Sequence, residues 1–255
     1  MIIRQEQIEA LEAAGKARFE TELLPHLKKS YPRSVAGADD AHLNRLISEG
    51  GRRAGKYGFQ ARGPVRMFTE FMVLLGHEFD QDPLLYWVQD ILRDKEGLDE
   101  MEQARRLHLH VSTYLGLVYG PAGEHVAKGL EHIAKAPLME ELAAIGKAYE
   151  AKAIPWLQAL HSRKCVYAGS SALQNLLQAA HLNAGKMGLP EPEGPPLVLG
   201  LMFAFGSGVM TDPLFPWVAA SVAPEAAGQP RARLERLAAR AQTYLRQAHE
   251  SRSKG

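Results

Sequence analysis

Asp82-Pro83-Leu84, followed by Trp87-Val88, returns as Asp212-Pro213-Leu214 followed by Trp217-Val218, a separation of 130 residues. The same separation links Ala54-Gly55-Lys56 and Gly58 to Ala184-Gly185-Lys186 and Gly188, Met72 and Gly76 to Met202 and Gly206, and Pro25 and Leu27 to Pro155 and Leu157. It also links Thr113-Tyr114-Leu115 to Thr243-Tyr244-Leu245. Self-similarity at a fixed period is the mark of a repeated structural unit, so the chain reads as two tandem copies. One copy then serves as a control for the other: a constellation found in only one of them is not part of the shared scaffold.

The period inside each copy is helical. Val65, Phe68, Met72, Leu75 and Phe79 are spaced by three and four, as are Ala104, Leu107, Val111, Tyr114 and Val118, so each set makes one apolar stripe. The second stripe is matched by Leu234, Leu237, Ala241, Tyr244 and Ala248. Asp40 and its counterpart Ser170 stand where a helix begins and can act as N-caps, and Gly58 and Gly188 stand where that helix should end. Asp82-Pro83 and Asp212-Pro213 pair a capping carboxylate with a proline at the first helical position, which predicts a helix starting at both.

The expected architecture is all-α, with two copies of a roughly five-helix unit. In the first copy the helices fall near 5–30, 40–57, 64–80, 83–94 and 98–118, with Pro25 and Pro155 bending the opening helix of each copy. The organisation is residues 1–120 for the first repeat, 121–137 for a connecting helix, 138–250 for the second repeat and 251–255 for a disordered tail.

Composition narrows the function classes. The chain of 255 residues carries 30 basic and 29 acidic side chains, a formal charge of +1, far from the positive surface that a phosphate backbone demands, so nucleic acid is not an expected partner. The single cysteine, Cys165, excludes an internal disulfide and has no histidine placed to activate it. The start, Met1-Ile2-Ile3-Arg4-Gln5-Glu6, has no apolar core of signal-peptide length, so a cytoplasmic protein is expected.

Reactive patterns are sparse. His77, Glu78, Asp80 and Asp82 could gather oxygens around a hard cation, but the matching positions are Ser207, Gly208, Met210 and Asp212, so only the capping carboxylate is shared. His108 and His110 point about 200° apart on a helix. Glu124-His125 and Glu131-His132 lie about 10.5 Å apart along one, too far to share a zinc ion. Trp87 and Trp217 are read as core anchors. There is no phosphate-binding glycine loop, and Gly206-Ser207-Gly208 matches Gly76 at a helix end. No catalytic residue, cofactor or metal is therefore expected, and the protein is read as a non-enzyme.

One asymmetry stands out. From Gly194 to Pro224 the only charged residue is Asp212, whereas the matching stretch carries Arg66, Glu70, Glu78, Asp80, Asp90 and Asp94. Gly and Pro interrupt the apolar run too often for a membrane span, so this helix should be covered by the other copy or by another protein.

Gly55-Lys56-Tyr57-Gly58, Arg62-Gly63-Pro64-Val65-Arg66-Met67-Phe68, Phe71-Met72 to Gly76, Phe79-Asp80, Asp82-Pro83 and Trp87, with a later helix ending Tyr114-Leu115, resemble a family of small, mostly uncharacterised all-helical proteins. These are found beside type VI secretion spike proteins and polymorphic toxins in proteobacteria and myxobacteria. The resemblance covers residues 1 to about 130, and the second copy more weakly because Arg62, Glu70, Phe79 and Asp80 have no equivalents there. It implies a protein-binding adaptor or chaperone for a secreted toxin cargo. The alternatives are a cytoplasmic immunity protein that neutralises a cognate toxin and a metal-dependent enzyme using His77, Glu78 and Asp80. Candidate partner-binding residues are Arg62 and Arg66 as rim charges with Leu197, Leu199, Leu201, Phe203 and Phe205 from the apolar segment.

Overall fold

The computed structural model describes residues 5–94, 97–121, 123–223 and 229–253. Among these, every regular element is helical. The α-helices are α1 (Gln5–Ser30), α2 (Asp40–Lys56), α3 (Arg62–Leu75), α4 (Tyr86–Arg93), α5 (Glu100–Tyr119), α6 (Glu124–Lys135), α7 (Leu138–Gly146), α8 (Tyr149–Lys186), α9 (Gly194–Phe205), α10 (Pro216–Val222) and α11 (Pro230–Ser253). α11 therefore extends past the expected start of the tail at Ser251, and residues 254–255 lie outside the described residues.

The stop signals act as read. Gly58 N–H donates to Gly55 O and Phe59 N–H to Ala54 O, and the same pair of bonds runs from Gly188 to Gly185 and from Leu189 to Ala184. Each is a Schellman closure with the glycine at positive φ. The start signals need correction. The N-cap of α2 is Asp39, whose Oδ1 accepts His42 N–H at 2.9 Å, and Asp40 is already in the first turn. At the corresponding place α8 is interrupted at Gly169, with φ +80 and ψ 166, and helical geometry resumes after it without a cap from Ser170.

The bend expected at Pro155 is also displaced. Pro155 sits within the helical backbone of α8, and the interruptions come at His161 (φ −157, ψ 78) and Gly169. At Asp82-Pro83 and Asp212-Pro213 the caps hold, with Oδ1 of each aspartate accepting the N–H of Leu84 or Leu214 at 2.8 Å. The prolines open a 3-10 turn over Pro83–Leu85 and a non-helical turn at 213–215, and the α-helices begin three residues later, at Tyr86 and Pro216.

Shifted by 130 residues, the bounds of α2, α3, α4 and α5 fall on the last segment of α8, on α9, on α10 and on α11. Shifted likewise, the bounds of α1 span α7 and the first segment of α8, and α6 lies within residues 121–137. α8 packs along α9, α2 along α3, and α6 against both α8 and α11. The buried apolar residues form one continuous cluster, from Leu23 and Leu27 on α1 to Leu237 and Ala241 on α11, so both halves share a core. Both α5 and α11 contribute their stripes to it: Leu107, Val111 and Tyr114 are buried, as are Leu234, Leu237 and Ala241.

Candidate functional site

α3 and α9 meet end to end at Gly76 and Gly206, and the loops beyond them exchange hydrogen bonds. Asp82 Oδ2 accepts Ser207 N–H at 2.7 Å, while Asp212 Oδ2 accepts His77 N–H at 3.2 Å. Each aspartate thus caps its own turn with one oxygen and the opposite loop with the other. Burial pushes the Asp82 carboxyl above the usual range, against the opposing pull of the Lys164 charge and the two N–H donors. Beside this junction Tyr114 rises well above the usual phenol range, through burial and then through Tyr119 and the Asp82 charge.

The acidic loop of the first half is spread over separate contacts. His77 is buried, with Nδ1 3.6 Å from Asp212 Oδ2 and Nε2 3.8 Å from Glu78 Oε1. Asp80 is buried in an ion pair with Arg53 and accepts the Tyr57 hydroxyl at 2.9 Å. Among the described residues no group of three or more His, Cys, Asp or Glu is arranged to hold a metal ion. The other histidines are dispersed: His110 Nδ1 bonds Arg106 O and its ring stacks on Trp87, while His132 Nε2 pairs with Glu141. Trp87 and Trp217 pack on Tyr114 and Tyr244 at ring distances of 5.8 Å. Burial holds the Cys165 thiol up at about 11.

The residues singled out for partner binding are distributed unevenly. Leu197, Leu199, Leu201 and Phe203 are buried inside the chain, where α9 lies against α8. Phe205 is half-buried and packs on Phe215 and Tyr244 at 4.6 and 5.4 Å. Arg62 is exposed, pairs with Glu22 at 2.6 Å and lies over the Phe19 ring, and Arg66 reaches Glu70 at 3.6 Å. The apolar segment is therefore covered by its own chain, and the two arginines stand apart from it on α3.

Exposed apolar surface lies elsewhere, on α5. Leu109 and Leu117 are 57% and 53% exposed, and with His108, Ser112, Thr113 and Gly116 they make an outer face without charge. On α11 the positions 130 residues on from Leu109 and Leu117, Ala239 and Gln247, are exposed as well, and it is an adjoining strip that is occupied. Gln242 Nε2 donates to Ile133 O and Ala136 O, and Arg246 Nε donates to Ala134 O, so that α6 lies along Ala238, Gln242 and Leu245. Ala238 and Leu245 are buried, whereas His108 is exposed and Leu115 is half-exposed. Sequence reasoning assigned α5 to the core through its inner stripe and passed over its outer face. The available signal was the lack of any Asp, Glu, Lys or Arg between Arg106 and Glu124.

Compared with family models, curated proteins and solved structures, the chain matches none. Among the described residues no helix is long and apolar enough to cross a membrane.

Proposed function

We propose that this chain is a tandem duplication, its two helical units offset by 130 residues, that works as a non-enzymatic, cytoplasmic adaptor or chaperone for a secreted toxin cargo. The cargo, or a spike component that carries it, docks a helix on the outer face of α5. The observation that carries this reading is that α5 presents Leu109 and Leu117 to solvent on a face with no Asp, Glu, Lys or Arg. Helix-on-helix docking through an apolar stripe buries such side chains without any reactive group. The partner class rests on the resemblance of residues 55–87 to proteins encoded beside type VI secretion spikes.

The test is co-purification with the toxins and spike proteins encoded beside this gene, using the full chain and a Leu109→Glu, Leu117→Glu variant. Capture by the original chain and loss in a variant that unfolds at the same temperature is the expected result. A chain that ignores all of these proteins, or a variant that captures them equally well, overturns the proposal. Death of the host on deletion of the gene, in place of a healthy cell that fails to secrete, would instead assign an immunity role.

A further inference from the structure

A second feature is independent of any docking on α5. A cavity of about 690 Å³ lies between α3, α6, α8, α9 and α11 and the loops at 32–36 and 212–215, within the size range of small-molecule sites. Its walls are mostly apolar, with Leu130 and Ile133 from α6, Leu160 from α8, and Phe203, Phe205 and Phe215 from the second half. Into this lining project two polar side chains from the interrupted part of α8, His161 and Lys164, each more than nine-tenths buried.

Both present donors. His161 Nδ1 accepts the backbone N–H of Lys164 at 3.3 Å, which leaves Nε2 to carry the ring proton, and this Nε2 is buried without a hydrogen-bond partner. Lys164 Nζ gives one hydrogen to Phe203 O at 2.5 Å and stands 4.9 Å from the Phe203 ring centroid. Among the described residues no carboxylate lies within ion-pair distance of its other two hydrogens, and the buried Asp82 charge acts on it only from further off. A buried ammonium with no anion in direct contact is costly, and the cavity wall offers little relief. The one carboxylate in that wall, Asp212, already accepts Leu214 N–H and His77 N–H, and the other charged lining residue, Arg33, is a second cation.

We propose that this cavity binds an amphiphilic carboxylate, its acid group held by Lys164 Nζ and His161 Nε2 and its hydrocarbon chain lying along Leu130, Ile133 and the three phenylalanines. The anion supplies a counter-charge in direct contact and occupies the orphaned imidazole donor. The chain replaces water against apolar walls.

Dodecanoate, methyl dodecanoate and dodecanol, titrated calorimetrically into the full-length protein at neutral pH, test this directly. Dodecanoate should bind as a single equivalent and at least ~tenfold more tightly than the ester or the alcohol. Lys164→Met keeps the side-chain bulk, and should lower dodecanoate affinity by ~tenfold or more while leaving the ester unaffected. Should that variant fail to fold, Leu130→Trp, which fills the cavity from α6, should abolish binding of both acid and ester. No heat or mass shift with acids of about eight to sixteen carbons overturns the proposal, as does an ester that binds as tightly as its acid.

Discussion

Gly76 and Gly206 stand back to back: a Cβ added to Gly76 would meet Phe205 O at 2.6 Å, and one added to Gly206 would meet Leu75 O at 2.8 Å. Their φ angles, +104° and +98°, with ψ near 150°, belong to a region that side-chain-bearing residues scarcely enter. Gly76→Ala and Gly206→Ala should each cost about 3 kcal/mol or more, since backbone strain and a clash with backbone oxygen add together. Gly51→Ala, within α2 and with open space around its Cβ, should be neutral or stabilising by up to ~1 kcal/mol. Chemical denaturation of the three variants checks the contrast.

The aspartates beyond these glycines tie the halves together. Asp82→Ala deprives Ser207 N–H and Leu84 N–H of their acceptor, and Asp212→Ala does the same to His77 N–H and Leu214 N–H. Each should lose about 2–6 kcal/mol, at ~1–3 kcal/mol for each of two stranded donors. Asp82→Asn keeps one acceptor and should lose less than Asp82→Ala. Because the two carboxylates serve one junction, the Asp82→Ala, Asp212→Ala double variant should lose less than the sum of the singles, and a double-mutant cycle measures the difference.

How far this arrangement is legible in the sequence depends on whether the cause is local. The glycine stops at Gly58 and Gly188 and the stripes of α5 and α11 follow from period and capping chemistry, which act within a few residues. The caps at Asp82 and Asp212 were legible for the same reason, but only for Oδ1. Oδ2 reaches a loop more than a hundred residues away. An all-apolar α9 told that something must cover it, yet Leu199 would be equally apolar under α8 or under a partner, and only tertiary packing decides. Lys164 and His161 carry no sequence signal, since nothing near them predicts that a lysine and a histidine three residues apart are buried beside one cavity.

Arg53 and Asp80 form a buried ion pair in the first half, and Asn183 and Met210 stand 130 residues further on. Removing one partner of a buried pair strands the other charge, whereas replacing both is often tolerated. Arg53→Asn alone should therefore lose about 3–5 kcal/mol by leaving Asp80 with only the Tyr57 hydroxyl. Adding Asp80→Met, so that both positions copy the second half, should recover most of that loss. Burial first, and then the Asp80 charge and hydrogen bond, raise the Tyr57 phenol to about 12, so loss of Asp80 should bring its titration part of the way back towards 10.0. Urea unfolding and ultraviolet titration of tyrosinate read the two effects separately.

His161 gives the fold a pH dependence of defined sign. Burial, reinforced by the Lys164 charge, lowers its imidazole from the usual 6.5 to about 4. Between those values the unfolded chain binds a proton that the native protein does not, so stability rises with pH across this window and falls on acidification through it. Above 6.5 both states are neutral and the term is flat. The lowered value corresponds to a loss of up to about 3 kcal/mol between neutral pH and the lower end of the window. Asp82 titrates in the opposite sense, because a raised carboxyl takes up its proton in the native state first and gains stability as pH falls. His161→Gln removes only the histidine term while leaving that of Asp82 in place. Unfolding free energies of the original chain and the variant, compared at about pH 7 and about pH 4.5, should therefore show a smaller acid loss, or a net gain, in the variant.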